Sequence, residues 1–316
     1  MISIALLLST LLGSFILLLW SADRLVSTAL SAAQRWRISP ALVGMTVLAI
    51  GTSFPELMIS AVAAAQGSVN MAVANLQGSN IANLGLVLGC VLCVAPLPLK
   101  GRFDIILPMI LLLSAAVFGG FIADLKLARI EGIILLVASI GWVFWLARRA
   151  RSDRHETPST TLLSSPWPLL LLMILLLGLV LVSARALVWS ASGLAPWLGM
   201  SERMIGLSVL AVGSSLPELV TTLAAARRAE HSLVLGNIAG SNIINLLLGG
   251  ALVALIGPGQ LTAATRAPDL LVLLGFTIGV IALWWWHRQR SLRRGWGWLL
   301  LACYTLYIVM NYGELF

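Results

Sequence analysis

Long apolar runs separated by short polar breaks fill the chain almost from end to end. A helix needs about 20 apolar residues to cross a bilayer. Ten runs can be laid out on that basis: 2–32, 41–65, 69–95, 103–122, 128–148, 167–190, 202–228, 231–256, 268–287 and 294–313. The pattern predicts ten membrane-spanning helices. The first run is long enough to tilt, or to continue past the bilayer as an amphipathic stretch around Asp23 and Arg24. Its opening residues have no basic segment ahead of the apolar one, and no small-residue cleavage site before a polar mature chain. They are read as a retained span rather than a leader.

The pattern is written twice. AIGTSFPELMISAVAAAQGSVNMAVANLQGSNIAN, from Ala49 to Asn83, returns as AVGSSLPELVTTLAAARRAEHSLVLGNIAGSNIIN, from Ala211 to Asn245. The offset of 162 residues also pairs Gly44 with Gly206 and Pro96 with Pro258. Past Pro258 it becomes 165, pairing Asp104 with Asp269 and Arg129 with Arg294. Residues 1–148 form a first repeat of five runs, 149–166 a linker and 167–316 a second repeat of five. An odd number of spans per repeat turns the second half over. The fold class expected is an all-α membrane protein with ten transmembrane helices as two inverted five-helix repeats.

Composition agrees with a life in lipid. Of 316 residues 59% are hydrophobic and 10% charged, with mean hydropathy +1.00, where soluble domains carry about 25% charged residues. The longest polar stretch, 148–165, is too short for a soluble domain. The net charge of +8 is spread along run ends rather than gathered for nucleic acid. Fourteen Lys and Arg follow the odd-numbered runs and five follow the even-numbered ones. Positive charge marks the cytoplasmic side, which puts the linker in the cytoplasm and both termini outside. Trp142, Trp145, Trp284, Trp285 and Trp286 are expected in an interfacial belt. Asp104, Asp124, Glu131 and Asp269 are expected at span ends, and His155, His231 and His287 on the surface. Cys90, Cys93 and Cys303 suggest helix packing rather than a disulfide framework or a metal cluster.

The candidate chemistry sits in the doubled stretch. Glu56 and Glu218 each follow a proline inside an apolar run, where an acid is costly and is read first as functional. Pro55 and Pro217 each remove a helical donor, and Gly51 and Gly213 loosen the turn before them. Backbone carbonyls near Ala49 and Ala211 are thereby expected to face a cavity. With the hydroxyls of Thr52, Ser53, Ser214 and Ser215 they make an all-oxygen set, suited to a hard cation such as calcium. No His or Cys stands near to favour a softer metal. Ser79 and Asn83 share a helix face, as do Ser241 and Asn245. Asn80 and Asn242 lie on another face and are expected to hold helices together or brace the break. Paired interrupted helices in inverted repeats point to a transporter with a midplane site.

GTSFPE…GSNIAN and GSSLPE…GSNIIN resemble the two alpha repeats of the calcium/cation antiporter superfamily, in particular the prokaryotic sodium/calcium exchangers. With its flanking helices the likeness covers the whole chain. It implies a core of helices 2, 3, 7 and 8, across which helices 1 and 6 slide. It implies calcium on the Glu56 and Glu218 carboxylates and the Thr52 and Ser214 carbonyls. Sodium sites would add Ala49, Ser53, Ser79, Ala211, Ser215 and Ser241. The remaining polar positions fall on Asn83 and Asn245. One of these is often an aspartate in the family; here both are amides. The expected function is sodium-driven calcium antiport in the cytoplasmic membrane. A proton-coupled or potassium-dependent exchanger of the same fold is the alternative. An intramembrane enzyme would need a nucleophile or acid–base pair at depth, and the sequence places none there. No cofactor is expected beyond the transported ions, and no nucleic-acid partner.

Overall fold

The computed structural model describes residues 3–99, 106–152, 167–198, 213–288 and 290–313, nearly all of them helical. α1 (Ile4–Trp36) starts on Ser3, whose side chain accepts the Leu6 amide, and stops where Arg37 turns left-handed at φ 55°. α2 (Pro40–Thr52) and α3 (Phe54–Ala65) form a helix pair bent by 44°. α4 (Val69–Val94), α5 (Ile106–Phe121) and α6 (Arg129–Ser152) complete the first half. The second half holds α7 (Trp167–Leu194), α8 (Leu216–Arg227), α9 (His231–Ile256), α10 (Ala263–Trp286) and α11 (Arg294–Gly313). The front of the predicted span 202–228, with Ala211, lies outside the described residues.

Among the described residues six helices are long and apolar enough to cross a membrane, and the bent α2–α3 pair makes a seventh. Their outward faces are apolar too: Leu12, Ile16, Leu113, Val137 and Leu175 are all exposed. This is an all-α membrane protein. Between α3 and α4 the chain turns at Gly67 with φ 78°, and between α8 and α9 at the equivalent Ala229 with φ 57°. An alanine pays for a left-handed turn that glycine makes freely, so only the first half uses the residue suited to it.

Two short strand pairs tie the halves together. β1 (Leu97–Pro98) pairs antiparallel with β4 (Ser291–Leu292), and β2 (Lys126–Leu127) with β3 (Gly259–Gln260). The Leu99 amide donates to the Arg290 carbonyl at 3.0 Å, and the Leu261 amide to the Leu125 carbonyl at 2.8 Å. The sequence offsets relate one clip to the other, bond for bond.

The core is set by a close crossing of α2 and α9. A Cβ on Gly44 would lie 2.7 Å from the Leu233 carbonyl oxygen, and one on Gly240 2.7 Å from the Met45 Cα. A Cβ on Gly236 would collide with the Ala41 carbonyl. Small residues let membrane helices approach until their backbones touch. α1 and α7 make the most extensive helix pair, lying against each other along the side of the bundle. α7 runs over both helix breaks, because Gly51 admits the Leu177 side chain and Gly213 that of Val188.

Several surface expectations need correction. Trp142 and Trp284 are buried in the core, while Trp285 and Trp286 are exposed. Hydropathy fixes where a tryptophan sits along a span but not which face of the helix carries it. Asp269 is half-buried, and the Tyr307 hydroxyl donates to its Oδ1 at 2.9 Å, joining α10 to α11. Glu131 accepts the Ala128 amide at 2.7 Å at the start of α6, and Asp124 accepts the Lys126 amide at 3.0 Å. Asp104 and His155 lie outside the described residues.

Candidate functional site

Each motif begins at a break. α2 stops at Thr52 and α3 starts at Phe54, with Pro55 in its first turn. α8 starts the same way, with Pro217 beside Leu216. A proline is tolerated in a first turn, where the amide it lacks would have no helical partner. The residue that follows, Glu56 or Glu218, is then held in that first turn, where helix amides favour negative charge. The Ser53 carbonyl accepts the Leu57 amide at 3.1 Å and the Ser215 carbonyl the Leu219 amide at 2.9 Å. The Ala49 carbonyl accepts the Ser53 amide at 3.1 Å, so it is not vacated by the break and only its second lone pair is free to face a ligand.

The fold brings the two motifs into contact. Ser53, at the first break, donates its hydroxyl to Glu218 Oε1 at 3.3 Å. Thr52 donates its hydroxyl to the Leu48 carbonyl at 3.0 Å, and the two glutamates lie close enough for their charges to interact. Glu56 is 1% exposed and Glu218 2%. Ala49 sits 2.9 Å from where a Gly240 Cβ would stand, one residue before Ser241. Ser79, Asn83, Ser241 and Asn245 are all buried, as are Thr52, Ser53 and Ser215; Ser214 is half-buried.

Many polar atoms in this region lack a hydrogen-bond partner. Among the described residues, both carboxylate oxygens of Glu56, Oε2 of Glu218, the Ser241 hydroxyl and both polar atoms of the Asn245 amide are buried and unsatisfied. Buried polar groups in folded proteins are nearly always paired, and an unpaired buried carboxylate is among the costliest groups to hold. Such a concentration of polar atoms, mostly oxygens, with an acid from each half, is chemically suited to positive charge.

Two features of the site have no signature in the hydropathy pattern. Asn83 opens a π-helical turn, Asn83–Val87, and Asn245 opens its equivalent, Asn245–Gly249. α2 carries a third, Gly44–Leu48. A π turn inserts one residue into a helix and is found preferentially at functional sites. The second is a clasp beside each glutamate, made by Asn75 with Ser60 and by Asn237 with Thr222. In the sequence its trace is that the offset of 162 aligns Asn75 with Asn237 and Ser60 with Thr222. Asn80 and Asn242 differ from expectation. Each donates to a carbonyl one turn back on its own helix, Leu76 at 2.8 Å and Ile238 at 2.7 Å. They brace their own helices, because a short amide side chain reaches the carbonyl four residues back more readily than a neighbouring helix.

A membrane helix bundle that buries facing acids and hydroxyls from two like halves has the frame of a cation antiporter. The chain belongs to the sodium/calcium exchanger protein family, whose profile matches residues 6–148 and 168–313. It is 36% identical to the inner membrane protein YrbG of Escherichia coli (strain K12) over 314 residues, covering 96% of this chain and 95% of that one. It is 28% identical to the sodium/calcium exchanger MaX1 of Methanosarcina acetivorans, covering 95% and 97% of the two chains. Its fold matches the sodium-calcium exchanger NCX_Mj, soaked with 10 mM Na+ and zero Ca2+, at TM-score 0.81 and 29% identity, over 97% of this chain and 99% of that one.

Proposed function

We propose that the protein is a secondary antiporter that exchanges Ca2+ for Na+ across the cytoplasmic membrane by alternating access. In this reading ten spans form two inverted five-helix repeats, 1–148 and 167–316, joined by a cytoplasmic linker at 149–166, with both termini outside. The strand clips support the inversion. α5 separates β1 from β2, so the two lie at opposite ends of a span. β1 pairs with β4, and β2 with β3. Carrying the offset of 162 through Gln260 makes β3 the equivalent of β1, and the offset of 165 makes β4 the equivalent of β2. Equivalent strands therefore lie at opposite ends, as an inverted second half requires.

Calcium is held by the Glu56 and Glu218 carboxylates with the Thr52 and Ser214 carbonyls. Sodium ions use Ala49, Ser53, Ser79, Ala211, Ser215 and Ser241, and Asn83 and Asn245 complete the polar lining. The observation that carries this reading is the set of buried, unpartnered oxygens on Glu56, Glu218, Ser241 and Asn245. Two carboxylates are neutralised by one divalent ion or by two monovalent ions. The same two acids cannot fully serve both loads at once, so the ions compete. An empty site carries uncompensated charge in a dry core, which opposes reorientation and couples the two fluxes.

The test is calcium uptake by purified protein in proteoliposomes. An outwardly directed sodium gradient drives uptake at fixed pH, and Glu56→Gln and Glu218→Gln each abolish it. Uptake that follows a pH gradient without sodium would replace this reading with proton coupling, and a requirement for potassium would replace it with a potassium-dependent exchanger. Calcium movement with no counter-ion would overturn antiport altogether.

A further inference from the structure

The two clasps beside the glutamates use matched residues but are wired differently. In the first half, Asn75 on α4 donates its Nδ2 amide to the Glu56 main-chain carbonyl at 3.1 Å and to Ser60 Oγ at 2.9 Å. The Ser60 hydroxyl turns away from its own helix and donates to the Ala72 carbonyl at 3.2 Å. In the second half, Asn237 on α9 donates to Thr222 Oγ1 at 2.9 Å. The Thr222 hydroxyl donates to the Glu218 carbonyl at 2.6 Å, within α8. The Glu56 carbonyl is thus held from the neighbouring helix and the Glu218 carbonyl from its own.

Ser60 and Thr222 differ by one methyl group. Threonine is stiff at χ1, and in a helix its hydroxyl bonds readily to the carbonyl one turn back; Thr221 adds a second donor to the Glu218 carbonyl at 3.2 Å. Ser60 bonds instead to the Ala72 carbonyl, and Asn75 takes the Glu56 carbonyl. The side chains show the opposite bias. Glu218 receives the Ser53 hydroxyl, whereas neither carboxylate oxygen of Glu56 has a partner. Glu56 is therefore fixed through its backbone, and Glu218 through both its backbone and its carboxylate.

We propose that Asn75 is the positioning residue for Glu56, and that Asn237 has no equivalent hold on Glu218. The proposal rests on the reading of Glu56 as a calcium ligand. Asn75 stands one turn before Ser79 and two turns before Asn83 on the same helix. Its amide locks the height of the Glu56 turn to the stretch of α4 that carries those two residues. The first-half acid and the first-half hydroxyl and amide move as one unit. In the second half, losing the Asn237 amide leaves the Thr222–Glu218 bond in place.

The test is the half-saturating calcium concentration and maximal rate of exchange in proteoliposomes, for variants matched in yield and monodispersity. Asn75→Ala removes two hydrogen bonds and raises half-saturating calcium on the order of tenfold, with a smaller change in maximal rate. Asn75→Asp, equal in size but without the amide donors, does the same. Asn237→Ala stays within about twofold of wild type, since it removes one neutral bond that does not touch Glu218. Adding Ser60→Thr to Asn75→Ala gives the first half the threonine-to-carbonyl bond of the second, without its asparagine. It returns half-saturating calcium to within about threefold of wild type, because one back-bonded hydroxyl replaces the lost carbonyl contact. A residue that only filled space would not be rescued this way. Equal effects of Asn75→Ala and Asn237→Ala, or no rescue by Ser60→Thr, would overturn the proposal. If Glu56→Gln stopped exchange while Asn75→Ala behaved as wild type, the role of Asn75 would fall and the site would stand. If Glu56→Gln still exchanged calcium for sodium, the site itself would fall.

Discussion

The crossing of α2 and α9 offers a direct way to alter the site from a distance. Gly236 faces the Ala41 carbonyl so closely that a methyl group cannot fit without moving backbone. Gly236→Ala must part the two helices by on the order of 1 Å to restore ordinary contact distances. Overpacking of this kind costs about 1–3 kcal/mol, and the gain in helix propensity from glycine to alanine returns about 1 kcal/mol. The net loss, up to about 2 kcal/mol, leaves the protein folded. On the proposed ligand assignment, the larger consequence falls on the ions. α2 carries Ala49 and Thr52 toward the site and α9 carries Ser241 and Asn245. Calcium holds its oxygens at about 2.3–2.6 Å, so parting those helices loosens a calcium cage more than it loosens one for the larger strontium ion. Calcium and strontium should compete for uptake with a smaller calcium preference in Gly236→Ala than in wild type. Gly275→Ala is the control, because a Cβ there meets nothing within 4 Å. A Gly236→Ala protein with wild-type melting temperature and wild-type calcium preference would refute the reasoning.

Ser53→Ala removes the hydroxyl that donates to Glu218 across the halves. A bond to a charged acceptor contributes about 1.5–3 kcal/mol, so ion affinity measured by calorimetry should fall roughly tenfold or more. Ser215→Ala should do less, since neither Glu56 oxygen has a hydrogen-bond partner; equal losses would contradict the asymmetry. Arg228 grips Asp23 on α1 through Nε at 2.9 Å and Nη2 at 2.7 Å. Both side chains are more than one-third exposed, and an exposed pair is worth about 0.2–1 kcal/mol. Arg228→Asp should change the initial uptake rate by more than simple loss of the pair, through repulsion with Asp23. Joining it to Asp23→Arg should restore the rate, and salt should narrow the difference. Failure of the swap to restore it would show that the pair does not govern α1.

How much of this was legible beforehand depends on what hydropathy records. Run length showed a membrane protein, and the doubled Pro-Glu stretch marked where α3 and α8 begin. The prolines were informative because their chemistry acts on their own backbone. Trp142 and Trp284 were misread because lipid and protein interior are equally apolar, so an apolar run does not reveal which face meets lipid. The π turns at Asn83 and Asn245 leave no trace in composition, being one-residue adjustments set by packing. The strand clips are two residues long, too short for any alternation to show. Ser60 and Thr222 fall at equivalent positions, and only the hydrogen bonds reveal that the two clasps are wired differently. The ion ligands named from the family likeness rest on the tests above.

The clips impose a mechanical rule. One seam joins β1 to β4 at one end of α5, and another joins β2 to β3 at the other. Sewn along both rims, the two halves cannot swing apart like the covers of a book. If the proposed exchange holds, the motion that exposes the buried acids in turn to each compartment has to be borne by parts outside the stitching, and among the described helices the α1–α7 pair packs most extensively.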